Sequence, residues 1–531
     1  MRFRIPGIRV LATLSARRSR HIAIGSLLAL GRAEQRSVSM AASPVADATN
    51  GAILVAVMIA WRNGIRGGLE LVVLSARQTV RHLIVGAIGG TSTEPTLDVS
   101  RGTGGPEGDP LPSSVLASAS VEGKCPMRLL LLSPGDSYRT GDFLTAAEAL
   151  GGEVVVASDV PSAVPGAVLA VPFDDPEAAA RSLMGALGVI DGVVGTDGNA
   201  VAVAAAVARQ KGRSANSAAS LTSARHKHLQ RAAAAAAGVL QPAFRLVVGR
   251  DTEGWSDFPA VVKPVDRSGS QGVLRADSPA YLIEAIDRVQ KLVGGRAPLL
   301  VEQFVAGIEV VVEGLLRNGH LEVIAIFDKP DTPTGPTFPE TLLVAPARLD
   351  AKTTEHVVRV AERATEAIGL TEGPVHVECK VDGSDVWFIE LAARTIGGLC
   401  SRSLNHGGVS LEELVILHAT GMPLPNRDLF GATGVLMLPV LKAGRVAAVH
   451  GVEAARAVEG VTEVVVSVGV GEEVLPLPEG DRYAGFVFAR AETADVVEAA
   501  LRRAWAKLEV DITASSEGSA AGHQLSGQSC R

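Results

Sequence analysis

Residues 373–391 constrain this chain more than any other stretch. In Gly373-Pro-Val-His-Val-Glu-Cys-Lys-Val381 the apolar residues Val375, Val377, Cys379 and Val381 alternate with His376, Glu378 and Lys380, the period of a half-buried strand. Val386-Trp-Phe-Ile-Glu-Leu391 reads as its return. A three-residue loop of Gly383, Ser384 and Asp385 would set Glu378 directly opposite Glu390 on one face. Two carboxylates about 5 Å apart at an effective dielectric of about 20 repel by roughly 3 kcal/mol, far above the few tenths an ordinary cross-strand pair gains. Something cationic has to stand beside them: a divalent metal, or Lys380 and Arg394 neutralising an exposed acidic patch. Cys379 falls on the core side of the alternation and reads as packing.

The 531 residues leave room for about three or four domains. With 47% hydrophobic but only 4% aromatic residues, their cores are expected to be built from Ala, Val and Leu. A net charge of −7 and no long Lys/Arg stripe give no reason to expect a nucleic-acid partner. Cys125, Cys379, Cys400 and Cys530 lie far apart without CxxC spacing, which argues against structural zinc and a disulfide framework and fits a cytoplasmic protein. The apolar run from Ala52 to Trp61 is about half what a bilayer crossing needs, so no membrane span is expected.

Residues 1–126 stand apart. The first forty carry eight Arg and one Glu, and 90–123 are rich in Gly, Ser, Pro and Thr. This leader, expected to be poorly ordered, is either an organelle transit peptide or sequence ahead of a true start at Met127. From Met127 strands and helices alternate, predicting a small α/β domain with a parallel sheet over 127–222. It lacks GxGxxG and GxxxxGK[ST], so it is expected to orient a substrate rather than bind a dinucleotide. Residues 223–425 read as an α+β body with two antiparallel sheets, interrupted by a proline-rich loop over 328–339. Residues 426–511 read as a small C-terminal α+β module, and 512–531 as a disordered tail.

Two further clusters carry chemistry. Strand 259–263 ends in Lys263 and opens into a loop containing Ser268, Gly269, Ser270 and Gly272. Small residues let backbone N–H groups wrap a polyphosphate and the lysine adds a point charge, although an ordinary hairpin turn would look the same in isolation. Glu302, Val305 and Glu309 lie at a strand exit, where a carboxylate or carbonyl can accept the adenine amine and a second carboxylate the ribose hydroxyls. Two solvated glutamates are the alternative.

Taken in order, Lys227, Lys263, the small-residue loop, Glu302, Glu309, Glu378, Glu390 and Arg394, followed by Gly397 and Gly398, resemble the ATP-grasp superfamily over roughly residues 127–511. The run Glu390-Leu-Ala-Ala-Arg394, Phe338-Pro-Glu-Thr341 and Ala345-Pro346 look like its L-amino acid ligase and carnosine synthase branch. The resemblance implies an ATP-grasp fold, with nucleotide between two α+β subdomains, a small Rossmann-like parallel-sheet domain before it and a C-terminal α+β module after it.

For the site, the resemblance implies that Lys227, Lys263 and the 268–272 loop contact ATP phosphates, Glu302 and Val305 hold adenine, and Glu309 holds ribose. Glu378 and Glu390 would bind magnesium, with manganese as the alternative. Arg394, with Glu390 and Lys263, would serve catalysis. Ala392 departs from the asparagine often found two residues after the second metal glutamate, which leaves one metal position weaker or completed by water. Glu340 is a candidate to face an amine, His376 to touch nucleotide or substrate, and Cys400 and Ser401 to line an acyl pocket. The expected activity is an ATP- and magnesium-dependent carboxylate-amine ligase acting on small molecules, as a homodimer without nucleic-acid or membrane partners. Carboxylation in the manner of biotin carboxylase and a non-catalytic ATP-binding module are the alternatives.

Overall fold

In a computed structural model of the chain, the described residues are 127–135, 137–405, 408–425 and 431–514, together with six strands within residues 2–87. The chain divides into two compact units, residues 1–120 and 121–531. In the first, β1 (Arg2–Ile5), β2 (Ile8–Ala12), β3 (Val38–Pro44), β4 (Val55–Trp61), β5 (Gly68–Leu74) and β6 (Val80–Ala87) form one sheet in sequence order, antiparallel except where β2 meets β3. The rest of the leader, Asp136, Cys125, Cys530 and the tail after residue 514 lie outside the described residues, and so do the expectations that fall on them.

The second unit begins with the expected parallel sheet. Its strands β7 (Arg128–Leu132), β8 (Glu153–Ser158), β9 (Ala167–Ala170) and β10 (Gly192–Gly195) run in the order β10-β7-β8-β9. Leu129 to Leu132 are wholly buried, because α1 (Thr140–Ala149) covers one face and α2 (Pro176–Ala186) with α3 (Gly198–Gln210) the other. After it come two helices, α4 (Ala218–Arg225) and α5 (Lys227–Ala236), broken at His226, whose φ of −105° and ψ of 109° are extended.

A four-stranded antiparallel sheet follows, made of β11 (Phe244–Val247), β12 (Ala260–Pro264), β13 (Leu274–Ala276) and β14 (Leu299–Gln303) in the order β11-β14-β12-β13 and backed by α6 (Pro279–Leu292). Beyond it, β15 (Ile308–Arg317), β16 (His320–Asp328), β17 (Leu342–Ala345), β18 (Gly373–Asp382) and β19 (Asp385–Ala392) belong to a larger antiparallel sheet, one face of which packs on α7 (Ala351–Ile368).

After α8 (Leu411–Thr420) comes the C-terminal α+β region. Its strands β20 (Ala432–Leu438), β22 (Val461–Val466) and β24 (Gly485–Ala491) extend the larger sheet to eight strands, β19-β18-β15-β16-β17-β20-β24-β22. Only β21 (Gly444–His450), β23 (Glu473–Val474) and β25 (Glu509–Thr513) form a sheet of their own. The short helix α9 (Val452–Arg456) and α10 (Ala494–Trp505) pack over this end. All seven residues of β20 are buried, so this strand is a central element and not a rim.

Candidate active site

The site grows from the pleat of β15, β18 and β19. Val310, Val312 and Leu316 on β15, with Val375, Val377 and Cys379 on β18, enter the core beneath α7. Alternation leaves Glu309, Val311 and Glu313 on the other face, opposite Lys380, Glu378 and His376 respectively. Glu378 pairs across to Glu390, and His376 to Ala392. The facing carboxylates are as expected, but the turn is not. The loop is two residues, Gly383 and Ser384, with Gly383 at φ 60°, and a bulge at Ile389 supplies the extra residue that restores Glu390 to the register of Glu378.

A buried cation serves this face. Lys329, just past the end of β16 and 3% exposed, donates from Nζ to Glu309 Oε1 at 2.5 Å and to Glu340 Oε1, and lies 3.9 Å from Glu378 Oε1. Burial opposes its charge, but those three carboxylates outweigh it and hold the ammonium well above the usual lysine range. Oxygens of Glu309, Glu340 and Glu378 all lie within 4.8 Å of one another. His376 donates through Nδ1 to Glu313 and stands with Nε2 3.2 Å from Glu378 Oε1. Against burial, Glu313 and then Glu378 raise its pKa to about 9. The Glu378 carboxyl is disfavoured as an anion by burial, yet Lys329 and His376 hold it well below the usual range. Glu390 is paired elsewhere, with Lys227 Nζ at 2.7 Å, and the same ammonium reaches Arg267 O at 2.5 Å.

The smaller sheet supplies the opposite wall. Glu302, 2% exposed, accepts from Arg231 Nε at 2.5 Å on one oxygen and faces Lys263 Nζ at 2.7 Å with the other. Burial works against its charge, but Arg231 and Lys263 bring its pKa down to about 2. Arg231 also donates to Ile389 O at 2.5 Å and Phe388 O at 3.3 Å, tying this wall to β19. Val305 O accepts from Lys380 Nζ at 3.0 Å. In the small-residue loop Gly269 and Ser270 have φ of 63° and 57°, successive left-handed residues of the kind that turn backbone N–H groups toward an anion.

Between the walls lies a cavity of about 900 Å³ whose lining includes every candidate residue except Gly272 and Ser401. The glycine is there for packing: a Cβ would come within 2.6 Å of Pro264 Cγ, and its N–H is taken by Pro478 O at 3.0 Å.

Arg394 also lines the cavity and donates to Thr395 O at 2.8 Å. Glu340 and Cys400 face the same space, whereas Ser401 is fully buried outside the lining. Arg231 and Lys329 are functional candidates that sequence reasoning passed over. Arg231 could have been found four residues after Lys227, on the same face of a helix. Lys329 carries no comparable local signal.

The arrangement of a parallel-sheet domain, a small antiparallel sheet and a larger one with carboxylates facing the cleft agrees with the family comparison, which matches residues 256–403 to the ATP-grasp domain. The chain carries an ATP-grasp domain. The L-amino acid ligase C-terminal domain 2 matches residues 436–513, after it. Alanine–anticapsin ligase of Bacillus subtilis (strain 168) is 29% identical over 161 residues, 26% of this chain and 34% of that protein. Carnosine synthase 1 of Homo sapiens is 29% identical over 186 residues, 32% of this chain and 22% of that protein. The chain thus spans about a third or less of the length of these two relatives. The crystal structure of L-amino acid ligase from Bacillus licheniformis superposes with a TM-score of 0.63 at 25% identity, covering 74% of this chain and 100% of that one. Among the described residues no helix is long and apolar enough to cross a membrane.

Proposed function

We propose that this ATP-grasp protein is an ATP- and magnesium-dependent carboxylate-amine ligase that forms an amide or dipeptide bond through an acyl phosphate, releasing ADP and phosphate. The observation that carries the reading is Glu378 beside Glu390 on adjacent strands, both lining one cavity that also holds Lys227, Lys263 and Arg394. The relatives named as ligases support it.

In this reading Lys227, Lys263 and the backbone of residues 268–270 hold the phosphates. Val305 offers its backbone to adenine and Glu309 its carboxylate to ribose. As Lys263 turns to a phosphate, one Glu302 oxygen is released toward the adenine amine while Arg231 keeps the other in place. Carboxylate oxygens suit a hard divalent ion, and each of the two glutamates already has an ammonium beside it, Lys329 3.9 Å from Glu378 and Lys227 2.7 Å from Glu390, so the residues fit magnesium or manganese held by Glu378 and Glu390. A bound ion would supply neutralisation of phosphate charge for transfer of the γ-phosphoryl group to the substrate carboxylate. Arg394, planar and always charged, orients that carboxylate and then holds the oxyanion formed when the amine adds. Glu340 faces the same space and can accept the incoming ammonium. No protein nucleophile is needed, and the buried Cys379 thiol is pushed far above the usual range by burial. The same reading has the protein act on small molecules in the cytoplasm as a homodimer.

The test is magnesium-dependent ADP release by the purified protein over pooled amino acids and small carboxylic acids, with mass analysis of responding pools. The expected result is ADP only when acid and amine are both present, with a product of their summed mass less water. Tight ATP binding with no ADP from any pool would overturn the reading.

A further inference from the structure

Two buried charges from different parts of the fold converge on one two-residue stretch of backbone. Ile396 N donates to Glu313 Oε2 at 3.0 Å. From the other side Arg139 Nη1 donates to Ile396 O at 3.2 Å, to Thr395 O at 3.4 Å and to Thr395 Oγ1. Arg139 and Glu313 are each 1% exposed and neither lines the cavity, so neither can touch a substrate. Their partner segment begins one residue after Arg394, whose guanidinium bonds to Thr395 O.

Each charge is anchored behind. Arg139, ahead of α1, uses Nη2 on Asp197 Oδ1 at 2.7 Å and on Thr196 O, at the carboxyl end of β10. Glu313 gives its other oxygen to His376 Nδ1, and the far nitrogen of that ring stands 3.2 Å from Glu378 Oε1. Ala392, directly across the strand pair from His376, has no polar side-chain atom to orient Glu378, and leaves that task on this side to the imidazole. A buried charge is costly unless its hydrogen-bonding capacity is filled. Here much of that capacity is used to grip backbone, through charge-assisted bonds that are stronger than neutral ones.

We infer that Glu313 and Arg139 are positioning residues that fix where Arg394 stands relative to Glu378, with His376 as the link between the arginine's loop and the carboxylate proposed to bind metal. The role of Arg394 rests on the ligase reading. The physical link does not.

The experiment compares Glu313→Gln, His376→Gln, their double variant and Arg139→Lys. Mn2+ affinity is measured by electron paramagnetic resonance on the full chain with a non-hydrolysable ATP analogue, and kcat and KM are measured separately for MgATP and for the acid. Outer partners of metal-binding side chains typically change affinity or activity by about 10- to 100-fold. Glu313→Gln is expected to weaken Mn2+ about 10-fold and to lower kcat about 10- to 100-fold, with KM for MgATP within about 2-fold. The double variant should be no worse than either single one, because both break the same link. Arg139→Lys, on the other side of the loop, should raise KM for the acid and leave Mn2+ affinity unchanged. Wild-type Mn2+ affinity in Glu313→Gln, or losses that simply add in the double variant, would overturn the inference. If Glu313→Gln does not fold, His376→Gln probes the same link from its cavity end: weakened Mn2+ binding supports the link and wild-type binding overturns it. A wild-type protein that binds Mn2+ and the analogue but ligates nothing refutes the ligase reading, while the Mn2+ comparison still decides the link.

Discussion

Glu302 answers to two cations at once, and its protonation therefore bears on stability. Its folded pKa of about 2 lies below the ordinary 4.5, so the stabilisation is fully present above about pH 4.5 and is lost as pH falls toward 2. The difference corresponds to something on the order of 3 kcal/mol. Glu302→Gln should remove that acid limb and lower stability at neutral pH by about 3–5 kcal/mol, because Arg231 and Lys263 keep their buried charges without a counter-charge. Urea unfolding at pH 3 and pH 7 checks both halves. For Glu390, half-buried and paired with the buried Lys227, Glu390→Gln should stay folded at a cost of about 1–3 kcal/mol yet lose magnesium-dependent turnover by about 100-fold. Thermal scans alongside ADP release separate the two effects. At this scale Glu378, Glu390 and Arg394 were legible, since strand alternation and short spacing bring them together. Arg231 and Lys329 were not, because their meaning comes from partners remote in the chain: Glu302 lies 71 residues beyond Arg231.

The β18–β19 hairpin illustrates what sequence leaves open in an element. Eleven residues separate Glu378 from Glu390, and facing them requires one residue more than a two-residue turn allows. That residue can sit in the turn or in the strand, and only the packed sheet decides: the structure puts it at Ile389, next to the carboxylate it re-aims. Likewise the α+β character of residues 426–511 was legible, but the joining of β20, β22 and β24 to the larger sheet depends on pairings such as Leu343 with Val435 that no local pattern encodes. The connection from β14 to β15 makes a sharper prediction. Gly307 has φ 98°, and a Cβ there would lie 2.2 Å from Val381 O on β18. Gly307→Ala should cost about 3 kcal/mol or more, whereas Gly319→Ala, at φ 78° with open space around it, should cost about 1 kcal/mol. Thermal unfolding of the pair distinguishes crowding from backbone strain.

In the molecule as a whole, all the candidate site residues belong to the unit that begins at Val121. A chain starting at Met127 is expected to fold with an unchanged circular dichroism spectrum per residue of the second unit and to keep its ADP release. Insolubility of that chain would assign the leader a part in the core. The alternation of strand and helix made the parallel sheet readable, and the two antiparallel sheets followed from their strand runs, whereas the depth of the site came from charges meeting across all of them. Lys329 gives the resting protein a counter-ion of its own. Lys329→Met would leave Glu309, Glu340 and Glu378 to repel one another, and the midpoint of that variant should climb further with added Mg2+ than the wild type's and fall back further with EDTA: a protein made dependent on its buffer by the loss of one side chain.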